Sequence, residues 1–294
     1  MKSEKNILIA FILNISFALF ELFGGLITNS ISIISDSIHD LGDSISIGIS
    51  YFLEKKSKQK PDNTYTYGYT RYSVIGATIT TTILLVGSIL VIINALKRII
   101  NPVTINYDGM IIFALFGVIT NSLAAYYTRT GESLNQKSVN LHMLEDVLGW
   151  FIVLIGSIII KFTSISIIDP IISIIVAIYI LVNSLKNFKT ILDLFLEKTP
   201  NNIKINELKS HLLKIDNIKD IHHIHIWSMD GINNYATMHV VVNEFNIKIK
   251  EIIREELKKY GINHVTIEIE TKEETCIDIN CHIETNISTH HHHH

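Results

Sequence analysis

Six stretches of this chain are each about as long and as apolar as the core of a bilayer requires, and that limits the fold before anything else does. They cover residues 7–27, 32–53, 73–96, 109–128, 139–162 and 170–192, against the ~20 apolar residues a membrane-crossing helix needs. In hydrocarbon every backbone N–H and C=O must be paired within the protein, which leaves only helices or closed barrels. Runs this long read as helices, so the first part of the chain is expected to be an all-α bundle of six transmembrane helices. The hydrophobic fraction of 48% and mean hydropathy of +0.32 average two regimes, because beyond Thr199 the chain turns charged and mixed. We expect a transmembrane domain over residues 1–198 and a soluble domain over 199–289, with His290 to His294 an expression tag.

Loop charges give an orientation. Lys2 and Lys5 precede the first run; Lys55, Lys56, Lys58, Lys60 and Arg71 follow the second; Arg129 and Lys137 follow the fourth; Lys186 and Lys189 close the sixth. The other side carries only Lys97, Arg98 and Lys161. The positive-inside rule then places both termini in the cytoplasm of a multi-pass protein of the cell membrane. No small-residue cleavage site follows the first run, which reads as a span and not as a removable signal. The formal net charge of -3 argues against nucleic acid as a partner, and two cysteines make no disulfide framework.

The second run is not uniformly apolar. It holds Asp36, His39, Asp40 and Asp43, although a charge at membrane depth costs at least ~2.5–3.5 kcal/mol. His39 and Asp43 are four apart, one turn along one helix face. The fifth run repeats the arrangement with His142 and Asp146. Two imidazoles and two carboxylates are enough to close a tetrahedral zinc site. The aspartates would neutralise the ion's double charge, and the ligands must lose protons to bind it, so metal and protons compete. As interhelical hydrogen-bond partners a lone histidine or aspartate would fit; two copies of His-X-X-X-Asp in separate spans fit that reading poorly. Asp36 and Asp40 share the stripe of His39 and Asp43 and are candidates for the entry path, the surroundings of the ligands, or proton sharing. Glu145 points about 100° away from Asp146 and is set aside.

Elsewhere in the bundle, Glu21 in the first run faces either a wet path or the headgroups, and Gly24-Gly25 suits close helix packing. The third run, rich in serine, threonine and glycine, reads as a packing helix. Asp169-Pro170 opens the sixth, with proline tolerated in a first turn and Asp169 open between a helix cap and a gate residue.

The soluble part reads helix (203–215), strand (221–228), strand (235–242), helix (247–259), strand (265–270), with Asp230-Gly231 in the turn and Gly261 stopping the second helix. In the last strand Thr266, Glu268 and Glu270 face away from the apolar residues. Two helices on one face of a small sheet make a ferredoxin-like α+β domain.

The chain resembles the cation diffusion facilitator family, in its zinc-transporting prokaryotic branch. The features that carry the likeness are Asn29-Ser30, Asp36-Ser37-Ile38-His39 and Asp43, then His142 and Asp146. To these are added Tyr67-Gly68-Tyr69 with Arg71, Asp169-Pro170, and Ile221-His222-His223-Ile224-His225-Ile226-Trp227-Ser228. The resemblance covers nearly the whole chain. It implies a homodimer of six-span subunits with a cytoplasmic metal-binding domain, and export of zinc against protons by alternating access. It maps the transport site onto His39, Asp43, His142 and Asp146, and the imidazole of His39, where some relatives carry aspartate, favours zinc. A second metal site that some relatives build in the loop after span two is not expected, because Tyr65, Tyr67 and Tyr69 stand beside Asp62 where imidazoles would be needed. In the soluble domain the resemblance points to His222, His239, Glu268 and Glu270 as ligands of zinc that bridges subunits. His223 and His225 are open between ligands and surface or sheet-packing residues, and Trp227 reads as a packing anchor. Cys276, Cys281 and His282 form a soft-ligand cluster in the tail, with wider spacing than a structural Cys-X-X-Cys.

Two other readings compete. An intramembrane metalloenzyme lacks His-Glu-X-X-His, and four protein ligands leave no position for a catalytic water, so no enzyme is expected. A metal-gated channel or membrane metal sensor would make the soluble domain the functional part. Cadmium, cobalt, nickel, iron(II) and manganese stand as alternative cargoes.

Overall fold

The computed structural model describes residues 2–28, 31–101, 110–163 and 168–271. They divide into two compact units, one up to Leu196 and one from Glu197. The first unit is six helices: α1 (Lys2–Thr28), α2 (Ile31–Ser57), α3 (Arg71–Ile100), α4 (Met110–Thr128), α5 (Leu134–Thr163) and α6 (Ile168–Phe195). Five are long and apolar enough to cross a membrane by length and composition. The exception among the described residues is α2, expected to be a span of its own; its aspartates and the Glu54-Lys55-Lys56 end break the apolar run. It is held between α1 and α3, its main packing partners.

Small and hydroxylic residues set how closely the helices approach. The buried face of α3 includes Ser73, Gly76, Ala77, Thr80, Thr81 and Ser88, as its composition implied. Gly24 of α1 lies under Phe113 of α4, where a Cβ would fall 2.5 Å from the ring. Glu21 is fully buried among the helices. Ile7 and Ala10, Ile47, Ala124 and Ala125, and Val139 and Met143 form a core shared by α1, α2, α4 and α5. It fixes α5 at Met143, next to His142.

A buried polar knot lies at the C-terminal end of α2. Glu54 is 3% exposed. Its Oε2 accepts hydrogen bonds from Ser73 Oγ at 2.7 Å, Ser133 Oγ at 3.3 Å and Asn135 Nδ2 at 3.4 Å, and Lys58 Nζ stands 3.8 Å from Oε1. Asn135 fits because residue 76 is glycine: a Cβ there would fall 2.6 Å from Asn135 Oδ1. Removing the carboxylate strands donors on two helices, at about 1–3 kcal/mol for each one left buried without a partner. Glu54→Ala is therefore expected to lower the thermal midpoint of the purified protein by several degrees, whereas Glu54→Gln, which keeps an acceptor, is expected to lower it less. Equal midpoints for Glu54→Ala and the parent would show that the knot does not hold α2, α3 and α5 together.

The second unit runs α7 (Ile205–Leu212), β1 (Ile218–Ser228), β2 (Asn234–Val242), α8 (Lys248–Lys259) and β3 (Ile262–Thr271). The element order matches the sequence reading. β1 pairs antiparallel with β2, and β2 pairs parallel with β3 through the α8 crossover. Leu208 and Leu212 of α7 and Ile249, Ile253 and Leu257 of α8 pack on the buried residues of the sheet, including Ile221, Ile226, Met238 and Val240. Both helices thus cover one face, as a ferredoxin-like α+β domain requires. Asp230 Oδ1 accepts from the N–H groups of Ile232 and Asn233 at 2.9 and 2.7 Å, and Gly231, at φ +86°, turns the hairpin.

β1 does not alternate throughout: His222 pairs with His239 but His225 pairs with Thr237, so one extra residue is looped out. Glu270 lies on the face opposite Val265, Ile267 and Ile269, as the alternation implied, and is 7% exposed there because histidines from β1 and β2 close over it.

Candidate metal centres

The first centre lies in the helical unit. Asp43 is carried by α2, and His142 and Asp146 by successive turns of α5. Each offers one ligand atom, and the three atoms lie within 4.8 Å of one another. His142 Nε2 stands 3.6 Å from Asp43 Oδ1, with His142 4% and Asp43 7% exposed. Both ring nitrogens of His142 and Oδ2 of Asp146 are buried with no hydrogen-bond partner. Such groups ordinarily find partners, and two carboxylates this close repel by about 3 kcal/mol even at an effective dielectric of ~20. Two anionic oxygens and a free imidazole nitrogen converging on one point are the donor set that a divalent ion, or protons in its place, neutralises.

His39 lies on α2 one turn before Asp43, but its side chain, like those of Asp36 and Asp169, falls outside the described residues. Asp40 is half-buried, and its carbonyl accepts from Ser44 Oγ at 2.9 Å. Ser44 Oγ also lies 2.5 Å from Asn14 Oδ1 of α1, which fixes the rotation of α2 one residue past Asp43.

The second centre lies on the open face of the sheet. His222, His239 and Glu270 bring three ligand atoms within 4.8 Å of one another. His239 Nδ1 is 2.6 Å from Glu270 Oε1, and His222 Nε2 is 3.3 Å from Glu270 Oε2. Glu268 Oε2 lies 3.3 Å from His239 Nε2. His222 Nε2 is buried without a hydrogen-bond partner, a donor atom aimed where a metal would sit. The registers explain the assembly: His222 is directly opposite His239, and His239 directly opposite Glu268.

Sequence reasoning left His223 undecided. Its φ of +49° belongs to the bulge, and its ring centroid lies 4.7 Å from that of His239. Its Nε2 is also buried without a partner. A regular strand would have turned His222 and His223 to opposite faces. The core requires the bulge: Ile221 and Ile226 both enter it but differ in parity, which only an extra residue between them allows. His225 is exposed. Cys276, Cys281 and His282 lie outside the described residues.

The loop after α2 is built around a different chemistry. Asp62 Oδ2 accepts from the Tyr69 hydroxyl at 2.6 Å, and Oδ1 from the N–H groups of Thr64 and Tyr65, each at 2.8 Å. The Tyr69 hydroxyl, followed by the N–H groups of Tyr65 and Thr64, holds the Asp62 carboxyl below its usual range. Reciprocally, the Tyr69 phenol is pushed up to about 12. Asp62 is engaged in organising a tyrosine cluster in which the Tyr65 and Tyr69 rings lie 4.5 Å apart.

Comparison with known proteins adds to this geometry. Residues 7–196 match the family described as the cation efflux transmembrane domain, and residues 200–272 the cytoplasmic domain of cation efflux proteins. The chain is similar to a cadmium, cobalt and zinc/H(+)-K(+) antiporter of Bacillus velezensis, at 32% identity over 99% of this chain and 96% of that protein. It is similar at 30% identity to the zinc transporter ZitB of Yersinia pseudotuberculosis, over 99% of this chain and 96% of that protein. A metal cation efflux system protein, CzcD, of Cupriavidus metallidurans is 30% identical over 91% of this chain and 87% of its own length.

Proposed function

The chain belongs to the cation efflux family, the cation diffusion facilitators, and from that footing we propose that it exports zinc from the cytoplasm in exchange for protons, as a homodimer working by alternating access. Membership makes it a multi-pass divalent-metal efflux transporter. The observation that carries the finer reading is the convergence of Asp43, His142 and Asp146 from two helices, with His142 nitrogens that no hydrogen bond satisfies.

In this mechanism deprotonated Asp43, His142 and Asp146, joined by His39, capture zinc from the cytoplasmic side. The mixed imidazole and carboxylate set suits zinc better than an all-oxygen set would. When the bundle rearranges, protons taking the same nitrogens and oxygens release the ion on the far side. Both termini lie in the cytoplasm, in keeping with the lysines and arginines beside α1, α2, α4 and α6. Asp36, Asp40 and Asp169 belong to the path. Zinc on His222, His239, Glu268 and Glu270 regulates transport by favouring one arrangement of the paired soluble domains.

The test is proton movement in liposomes carrying the full chain when zinc is added on one side, with His39→Asp in parallel. Zinc-driven proton counterflow in the parent, and cadmium gaining on zinc in the variant, are the expected results. Zinc flux without proton movement would replace the antiporter by a uniporter or channel. No flux from folded dimers would turn the reading to a membrane metal sensor, which the cluster on the sheet favours.

A further inference from the structure

A cavity of about 360 Å³ opens where α4 ends, α5 begins and α6 passes. That volume is at the lower end of the ~300–1,000 Å³ typical of small-molecule sites. Arg129 from the end of α4, Lys137 and Asn140 from the start of α5, and Lys186, Asn187 and Thr190 from α6 line it. No carboxylate lines it, and among the described residues none of the three cations has an acidic partner. Three like charges from three helices thus face one cavity, an arrangement that repels itself unless an anion enters.

The polar walls are rigid. Asn140 Nδ2 donates to Ala125 O at 2.7 Å and to Thr128 Oγ1 at 2.9 Å, tying α5 to α4. Asn187 Nδ2 donates to Thr81 Oγ1 and Ser138 Oγ, both at 2.8 Å, tying α6 to α3 and α5. The Arg129 guanidinium sits over the Tyr126 ring, 4.1 Å from its centroid, which directs it without neutralising it.

The surroundings identify the anion. Tyr126 and Tyr127, both exposed on the last turn of α4, are the aromatic residues that mark headgroup level in membrane proteins. On α6, Val182 and Ile178 stand one and two turns before Lys186 on its own face, 44% and 49% exposed. An apolar track therefore leads from the basic cavity along the helix. A phosphate at the cavity with an acyl chain on that track satisfies both halves; a free phosphate satisfies one. Basic pockets between membrane helices on the cytoplasmic side are suited to such headgroups.

We propose that Arg129, Lys137 and Lys186 form a phosphate site for the headgroup of an anionic phospholipid, clamping α4, α5 and α6 at one end of the bundle. The site is independent of the cargo reading, since its occupancy is measured without zinc. Because α5 also carries His142 and Asp146, a bound lipid restrains the helix that holds two of the proposed ligands.

The test uses the full chain in detergent, with thermal unfolding followed on adding dioleoylphosphatidylglycerol, dioleoylphosphatidylcholine or inorganic phosphate. A ligand at ~100 times its Kd raises the midpoint of a chain this size by roughly 4 °C. Phosphatidylglycerol is expected to produce that rise and phosphatidylcholine is not. Arg129→Gln/Lys137→Gln/Lys186→Gln is expected to lose most of it, while Lys55→Gln/Lys60→Gln, which removes charge elsewhere, keeps it. All three cavity cations are exposed and repel one another only weakly through solvent, so the lipid-free midpoint should equal or slightly exceed the parent's; Lys186→Gln alone serves if it falls instead, with a smaller loss of the lipid-induced rise. An undiminished rise in the cavity variants, or no rise in the parent, overturns the proposal. A rise with inorganic phosphate equal to that with phosphatidylglycerol overturns the lipid as its source.

Discussion

Asp43→Asn and Asp146→Asn are each expected to lower zinc flux in proteoliposomes by on the order of 100-fold. Each keeps the shape of the side chain and removes one of the two charges that offset a divalent ion. The ~2.5–3.5 kcal/mol cost of an uncompensated charge at membrane depth corresponds to a factor of that size, at 1.4 kcal/mol per decade. The stability effect has the opposite sign. Without metal, the two carboxylates stand close to each other and to His142, so removing one relieves repulsion. The zinc-free thermal midpoint is expected to equal or exceed the parent's, while the rise that zinc produces shrinks. Parent-like flux in either variant would mean that the ion passes elsewhere.

His222→Ala/His239→Ala, placed in an Asp43→Asn background so that the helical centre contributes little, is expected to remove zinc binding from the soluble domain. The pair supplies two of the three ligand atoms, Glu270 supplying the third. The loss of affinity, read by equilibrium dialysis, should exceed the ~10–100-fold that follows loss of a partner outside the ligand set. His223→Ala is expected to have a smaller effect, since its ring lies against His239 without joining the three-atom cluster. In the otherwise native chain, an unchanged zinc dependence of transport in His222→Ala/His239→Ala would reject the regulatory role while leaving the binding result intact.

Much of this protein was legible in one dimension because the relevant interactions are local. Bilayer thickness dictates helix length, so the long helices follow from runs of apolar residues. The i, i+4 spacing of His142 and Asp146 is itself a statement about one helix face. The alternation of β2 and the single apolar face of α8 are equally local, and Gly261, at φ +74°, ends α8 where the sequence put the stop. Even the polarity that keeps α2 from qualifying as an apolar span is visible as four ionisable residues in one run.

What the tertiary structure alone decided depends on residues far apart in sequence. Only the packing of α1, α2, α4 and α5 brings Asp43 to His142 across 99 positions. Only the pairing of three strands shows that Glu270 is buried under His222 and His239 while Glu268 stays at the edge. The bulge at His223 is settled by which isoleucines the helices cover, and not by the preference of the strand. Glu54 and the cavity cations looked like ordinary charges at helix ends. Burial among hydroxyls from α3 and α5 sets the first apart, and convergence from three helices without a carboxylate sets apart the second. The physical reason is the same throughout: periodicity reports which face of an element a residue occupies, but the charge and solvent around that face are set by whatever the fold brings against it.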